Sequence, residues 1–254
     1  MGEALLAGLL ASGRTTDSVA VVEADPTRRA VLEERFPAVT VTEVAVPCDG
    51  AVIAVKPPDA PAVCERLAPF GPRRVLSIAA GVTTARLEAA LGGEVAVVRA
   101  MPNTPAQVGV GASAVAPGVH ATDADLDWAE ELLGAVGVVV RVDEGQLDAV
   151  TGLSGSGPAY VFLLVEALID AGVREGLPVE VAGQLVVQTI AGAAQLLAAS
   201  GASGTDAHEH RLAVTSPQGT TAAGLAVLEV RDVRDAVAEA VAAATERSRQ
   251  LGAG

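Results

Sequence analysis

The chain has 254 residues, half of them hydrophobic and 2% aromatic, with 31 acidic side chains against 17 basic ones and a formal net charge of −14. That length buries a substantial core in one large or two moderate domains, and the scarcity of aromatic rings makes the core one of Ala, Val and Leu. The acidic balance disfavours a nucleic-acid or anionic-membrane partner, because phosphate binding draws on Lys and Arg; a small molecule is the expected partner.

Residues 3–10 read as a helix behind Gly2, with no basic lead and with Glu3 interrupting the apolar start, so no signal peptide is expected. Short β-branched runs follow at 19–22, 51–55, 75–78, 95–98 and 138–140, alternating with helical patterns near 27–35, 59–69 and 83–91. Asp25-Pro26 marks one helix start, Thr83-Thr84 another, and Thr122-Asp123-Ala124-Asp125 gives a capping-box pattern before a helix with Leu126, Trp128, Leu132 and Leu133. Strand, helix, strand in repetition predicts a parallel sheet covered on both faces. Ligands of such sheets bind beyond the carboxyl ends of the strands, which here carry Glu23, Val55-Lys56-Pro57, Ala79-Ala80-Gly81 and Met101-Pro102-Asn103. Cys48 and Cys64 form no Cys-x-x-Cys pair, so reduced thiols in a cytoplasmic protein are expected.

From about residue 145 the strand signal stops. Helices are predicted at 158–173, 179–199 and 232–250, with 198–205 as a flexible loop, which divides the chain at residues 1–146 and 147–254. The first two helices are apolar nearly all the way round, which predicts burial on several sides and association of the helical halves of two copies. The run 159–171 carries Glu166 and Asp170 and falls short of the roughly 18 apolar residues a membrane span needs.

Two segments suggest a site. Gly152-Leu153-Ser154-Gly155-Ser156-Gly157-Pro158 leads into the first of these helices; its glycines permit positive φ and close approach, and its serine hydroxyls are free for a polar ligand or a cap. Thr215-Ser216-Pro217-Gln218-Gly219-Thr220-Thr221 precedes another apolar helix. Both read as helix starts that attract anions, which suggests a small polar substrate.

These two segments, with Ala54-Val55-Lys56-Pro57, Ser77-Ile78-Ala79-Ala80-Gly81-Val82 and Arg99-Ala100-Met101-Pro102-Asn103-Thr104-Pro105, resemble the pyrroline-5-carboxylate reductase family in order and spacing, over residues 2 to about 251. The resemblance implies a Rossmann-like doubly wound parallel sheet, lacking its first strand here, followed by an all-α dimerisation domain that forms homodimers or a larger ring of dimers. It implies NAD(P)H-dependent reduction of 1-pyrroline-5-carboxylate to L-proline, the last step of proline biosynthesis. By position in the motif, Ser216 and the N–H groups of Gly219, Thr220 and Thr221 would hold the substrate carboxylate, the Thr221 hydroxyl would serve the ring nitrogen, and Ser156 would also bind substrate.

The chain departs from the family at two places. Its opening Met1-Gly2-Glu3 looks like the end of a Gly-x-Gly-x-Met-Gly turn without the preceding strand, so Met1 is expected to be internal to a longer natural chain. Gln218 stands where the family usually has glycine. Glu23 sits where a carboxylate would bind a ribose 2′-hydroxyl and favour NADH, whereas Arg28 and Arg29 would clasp the 2′-phosphate of NADPH, the cofactor of most relatives. Lys56 and Asn103 are expected to face the cofactor. His208 and His210 lie two residues apart with no third ligand in sight, so no metal is expected. The serine segment also misses the last glycine of a nucleophile elbow, which disfavours a hydrolase. Another nicotinamide-dependent reductase, or a non-catalytic protein derived from one, remains the alternative.

Overall fold

The computed structural model describes residues 1–201 and 203–252. By internal packing the chain forms two compact units, the first comprising Met1–Pro158 with the chain from Val241 on, the second Ala159–Ala240. Residues 147–158 therefore pack with the nucleotide-type half rather than with the helices that follow the boundary expected at residue 146.

In the first unit, α1 (Gly2–Ala11), β1 (Ala20–Val22), α2 (Pro26–Arg35), β2 (Thr40–Thr42), β3 (Gly50–Ile53), α3 (Ala60–Leu67), β4 (Arg74–Ser77), α4 (Thr84–Leu91), β5 (Ala96–Met101), β6 (Gly111–Pro117), α5 (Asp123–Gly134) and β7 (Gly137–Arg141) follow in order. Strands β3 to β7 form one sheet in sequence order, while β1 and β2 form a separate parallel pair. Among the described residues β1 and β3 each have a ladder partner on one side only. One expectation needs correction: β6 runs antiparallel to β5, with Val98 opposite Pro117 and Met101 opposite Ala114, so the sheet is mixed.

Both faces of this sheet are buried. Val75 and Val97 pack with Cys64 and Leu67 of α3 and Leu87 and Leu91 of α4. Their chain neighbours Leu76 and Val98 point the other way, against Leu5 and Leu9 of α1 and Leu126 and Leu133 of α5. The two-residue period of the strand side chains thus feeds two cores, which is what makes the sheet doubly wound. Helix starts are capped as their sequences predict: Asp25 Oδ1 accepts the N–H of Thr27 at 2.8 Å, and the Thr122–Asp125 capping box opens α5.

After β7 come α6 (Leu147–Val150), a π-helical turn (Thr151–Gly155) and α7 (Gly157–Arg174). The glycine-serine segment read as leading into this helix is thus itself helical. None of Gly152, Gly155 and Gly157 has positive φ. Two of these glycines are needed for closeness: a Cβ on Gly155 would lie 2.6 Å from Met101 Cε, and one on Gly152 would strike Thr245.

The second unit consists of α7 from Ala159 on, α8 (Val179–Ser200), α9 (Gly204–Ala213), α10 (Thr220–Val230) and the start of α11 (Val233–Gly252). The loop expected at 198–205 shrinks, since α8 runs to Ser200 and α9 begins at Gly204 under a Ser203–Asp206 capping box; residue 202 lies outside the described residues. Gly172 lets α7 and α8 approach, a Cβ there lying 3.3 Å from that of Ala182. Yet the apolar helices bury little within one chain: Phe162 and Leu163 are 61% and 66% exposed, and Ala182 is the only buried residue of α8. The helical stretches Glu144–Arg174 and Val179–Ser200 are long and apolar enough to cross a membrane by length and composition, because α6, the π turn and α7 run on without a break and remove the expected shortfall.

Candidate active site

In the first unit the carboxyl ends of the parallel strands β3, β4 and β5 share one edge of the sheet, carrying Val55-Lys56-Pro57, Ala80-Gly81 and Met101-Pro102-Asn103. Val55, Lys56 and Pro57 are exposed there, while Gly81 and Pro102 are buried. Gly81 adopts φ 76°, the left-handed region, and its backbone faces that of Gly252, so glycine is needed twice over. At the head of α1, Gly2 lies against the end of β3, a Cβ there standing 3.0 Å from that of Ala54. No side chain caps α1. First-turn N–H groups without a cap, set against strand ends and an exposed lysine, fit the pyrophosphate of a dinucleotide.

The groups expected to read the ribose are already engaged. Glu23 Oε1 accepts the Asp25 N–H at 3.0 Å. Arg29 donates to the carbonyls of Glu23 at 2.8 Å and Ala24 at 2.9 Å, and pairs with Glu43 at 3.3 Å. Arg28 pairs with Glu3, which also holds Arg35. A 2′-phosphate therefore has to compete with Glu3 for Arg28, while Arg29 braces the turn after β1.

Asn103 does not present a free side chain to a ligand. Its Oδ1 accepts the Ala112 N–H at 2.9 Å, and its Nδ2 donates to Ser154 O at 3.1 Å. The serine turn is no open helix mouth either, since the Ser156 N–H is given to Thr151 O at 2.8 Å. The anion-binding reading of that junction is corrected accordingly: the helical path through the π turn consumes the donor. Ser156 itself is half-buried.

In the second unit the segment 215–221 does lead into a helix, α10. Gly219 is its N-cap, with φ −78° and ψ 173°, and no side chain caps the helix. Ser216 O accepts the Gly219 N–H at 3.0 Å, which closes the turn and removes that donor from the expected anion set. The Ser216 hydroxyl lies directly over Gly219, where a Cβ would collide with it. Ser216, Thr220 and Thr221 are exposed. Gln218, the departure from glycine, sits at φ 60°, the conformation for which glycine is suited.

Sequence reasoning passed over one cluster. Glu144 Oε1 accepts the Thr84 N–H at 2.7 Å, Oε2 accepts the Thr84 hydroxyl at 2.8 Å, and Arg99 Nη1 donates to Oε1 at 3.3 Å. Arg99 is buried beside Ser77, its β4 partner in register. A lone glutamate before a glycine carries no signal of such a role.

Comparison with known proteins places these features. Residues 144–251 match the family described as pyrroline-5-carboxylate reductase dimerisation, and residues 1–81 match the NADP oxidoreductase, coenzyme F420-dependent family. The chain is 44% identical over 276 residues to the pyrroline-5-carboxylate reductase of Mycobacterium tuberculosis, covering 99% of this chain and 93% of that one. It is 42% identical over 260 residues to the Synechocystis enzyme, covering 99% and 95%. Among solved structures, the pyrroline-5-carboxylate reductase of Coxiella burnetii superposes with a TM-score of 0.91 at 35% identity, covering 98% of this chain and 94% of that one. The Plasmodium falciparum pyrroline carboxylate reductase, solved with NADP bound, superposes with a TM-score of 0.85 at 31% identity, covering 99% and 94%. With a Rossmann-like sheet, an all-α dimerisation region and these relatives along nearly its whole length, the chain belongs to the pyrroline-5-carboxylate reductase family.

Proposed function

We propose that this chain reduces 1-pyrroline-5-carboxylate to L-proline, the closing step of proline biosynthesis, with NADPH as the preferred donor. The observation that carries the reading is the turn before α10, where the Ser216 hydroxyl folds over Gly219 and α10 begins without a side-chain cap. A carboxylate suits such a helix mouth, because the N–H groups of the first turn have no partner within the helix and the positive end of the helix dipole favours an anion. Thr220 and Thr221 would donate their N–H groups, and Ser216 its hydroxyl.

When bound, the reduced nicotinamide supplies a hydride to the imine carbon. The imine nitrogen has to be protonated for that transfer, and the Thr221 hydroxyl would orient this nitrogen or relay its proton. Ser156 would offer a further hydroxyl to the substrate. Gly2, Val55, Lys56, Pro57, Ala80, Gly81, Met101 and Pro102 would line the dinucleotide site, with Glu23 and Arg28 at its ribose end and Arg29 supporting the turn there. Glu23 argues for NADH and the NADP-type family match for NADPH; the match is given the greater weight, because Arg28 stands beside the ribose end and needs only to exchange Glu3 for a phosphate.

In this reading residues 1–146 serve the nucleotide, and 147–254 serve the substrate and dimerisation, in a cytoplasmic homodimer or ring of dimers without membrane or nucleic-acid partners. The exposed apolar faces of α7 and α8 support a second copy as their cover.

The test is oxidation of NADPH with 1-pyrroline-5-carboxylate, comparing the chain with Thr221→Ala. The variant is expected to lose about ten- to a hundredfold in kcat, the size of a lost positioning or proton-relay contact. Unchanged turnover removes Thr221 from the chemistry, and no turnover by the parent chain under either cofactor overturns the reading.

A further inference from the structure

Within the first unit, Asn103 joins three pieces of backbone. Its carbonyl accepts the Ala106 N–H at 3.2 Å and opens the 3₁₀ turn Thr104–Val108, and its Oδ1 takes the Ala112 N–H at 2.9 Å at the start of β6. Its Nδ2 reaches across the fold to Ser154 O at 3.1 Å, in the π turn. That last bond has a local cause. In a helix the carbonyl of residue 154 takes the N–H of residue 158, and residue 158 is proline, which has none. The Asn103 amide supplies the missing donor. Met101, two residues earlier, sets its terminal methyl Cε against Gly155, where a Cβ would lie only 2.6 Å from it. The end of β5 therefore touches the π turn both through an amide and through a close apolar contact.

We infer that Asn103 is a positioning residue: it replaces the donor that Pro158 lacks, fixes the π turn, and so holds the hydroxyl of Ser156, next but one to Ser154, in its place for substrate. It acts through the turn and not on the dinucleotide. The role of Ser156 rests on the function proposed above, whereas the link from Asn103 to the turn does not.

Asn103→Asp isolates the link, since aspartate keeps an acceptor for the Ala112 N–H but turns a carboxylate oxygen toward Ser154 O in place of a donor. Three quantities are measured on the full chain: amide hydrogen exchange across residues 151–157, KM and kcat for 1-pyrroline-5-carboxylate, and the Kd of NADPH by fluorescence titration. Loss of a hydrogen bond of ordinary net strength is expected to speed exchange in the turn about tenfold and to raise KM about tenfold, with the NADPH Kd within about twofold of the parent. Adding Pro158→Ala gives Ser154 O a helical N–H again and is expected to restore much of the protection and of KM.

Unchanged exchange in the turn overturns the inference, as does an NADPH Kd weakened tenfold with the turn unaffected, which would make Asn103 a cofactor ligand. Should Asn103→Asp alone not fold, the paired variant is compared with Pro158→Ala: a folded pair with a protected turn supports the inference, and failure of the pair alone overturns it. A parent chain with no activity toward the imine refutes the proposed reaction, while the exchange measurement still decides the link.

Discussion

Glu144→Ala tests the cluster that ties the start of α4 to β5. The carboxylate takes two hydrogen bonds from Thr84 and one from Arg99, whose side chain is only 8% exposed, while that of Glu144 is 29% exposed. Removing it opens the Thr84 N–H at a helix start, a change of about 1 kcal/mol, and leaves the Thr84 hydroxyl without its acceptor. The larger effect is that a buried guanidinium keeps its charge and loses its counter-ion, so the whole change is expected to destabilise the fold by about 3–5 kcal/mol. Urea unfolding followed by circular dichroism at one fixed protein concentration reads this directly. With a slope of about 2–3 kcal/mol/M, the midpoint should fall by about 1–2 M. Pairing the change with Arg99→Met removes the stranded charge, and the double variant should regain a large part of the loss. A single variant that costs less than about 1 kcal/mol, or a double variant no better than the single, refutes the account of Arg99 as a buried cation dependent on Glu144.

Gln218→Gly relieves a left-handed residue at φ 60°; the gain of about 1–2 kcal/mol, less about 0.4–1 kcal/mol for the freer unfolded chain, should raise Tm by a few degrees, and a lower Tm in a thermal melt refutes it. Burial alone would raise the Asp125 carboxyl, but the backbone and side-chain hydrogen bonds from Thr122, helped by the charges of Arg74 and Arg73, outweigh it and hold the group below the usual carboxylate range. A pKa lowered by folding contributes stability at neutral pH that disappears as pH falls through the folded value, so Asp125→Asn should flatten the decline of the urea midpoint below about pH 5, and an unchanged decline would contradict this. Burial pushes the Cys64 thiol up to about 11, and burial together with Asp49 raises Cys48. A thiol-disulfide reagent at pH 8 should therefore label Cys64 only after denaturation; labelling of Cys64 in the native protein would contradict its place in the core.

Much of the fold was legible because the sheet is built from short apolar runs whose alternate residues enter different cores. The runs at 51–55, 75–78 and 138–140 became β3, β4 and β7 with shifts of a residue or two. Strand β6, Gly-Ala-Ser-Ala-Val-Ala-Pro, escaped notice since its small residues show no strand propensity; its conformation comes from pairing with β5 on one side and β7 on the other. The glycines at 152, 155 and 157 signalled a turn into a helix, but closeness to Thr245 and to Met101 is why the first two are small, and that is a fact of tertiary structure. Of the candidate site, the helix start at Gly219 was legible, whereas the positive φ of Gln218 and the bond from the Gly219 N–H to Ser216 O belong to the folded turn. Side-chain pairings across long separations were invisible: Glu144 meets Thr84 60 residues away and Arg99 45 residues away, and Asn103 meets Ser154 51 residues away.

Helices α7 and α8 leave Phe162, Leu163, Leu185, Val187 and Leu196 open to water on a lone chain. A freshly synthesised molecule thus spends its first moments with a sticky flank, and every encounter before pairing is a chance to aggregate as well as to assemble. Production temperature and the crowding of nascent copies will consequently govern the yield of good material as strongly as the thermodynamic worth of any individual contact.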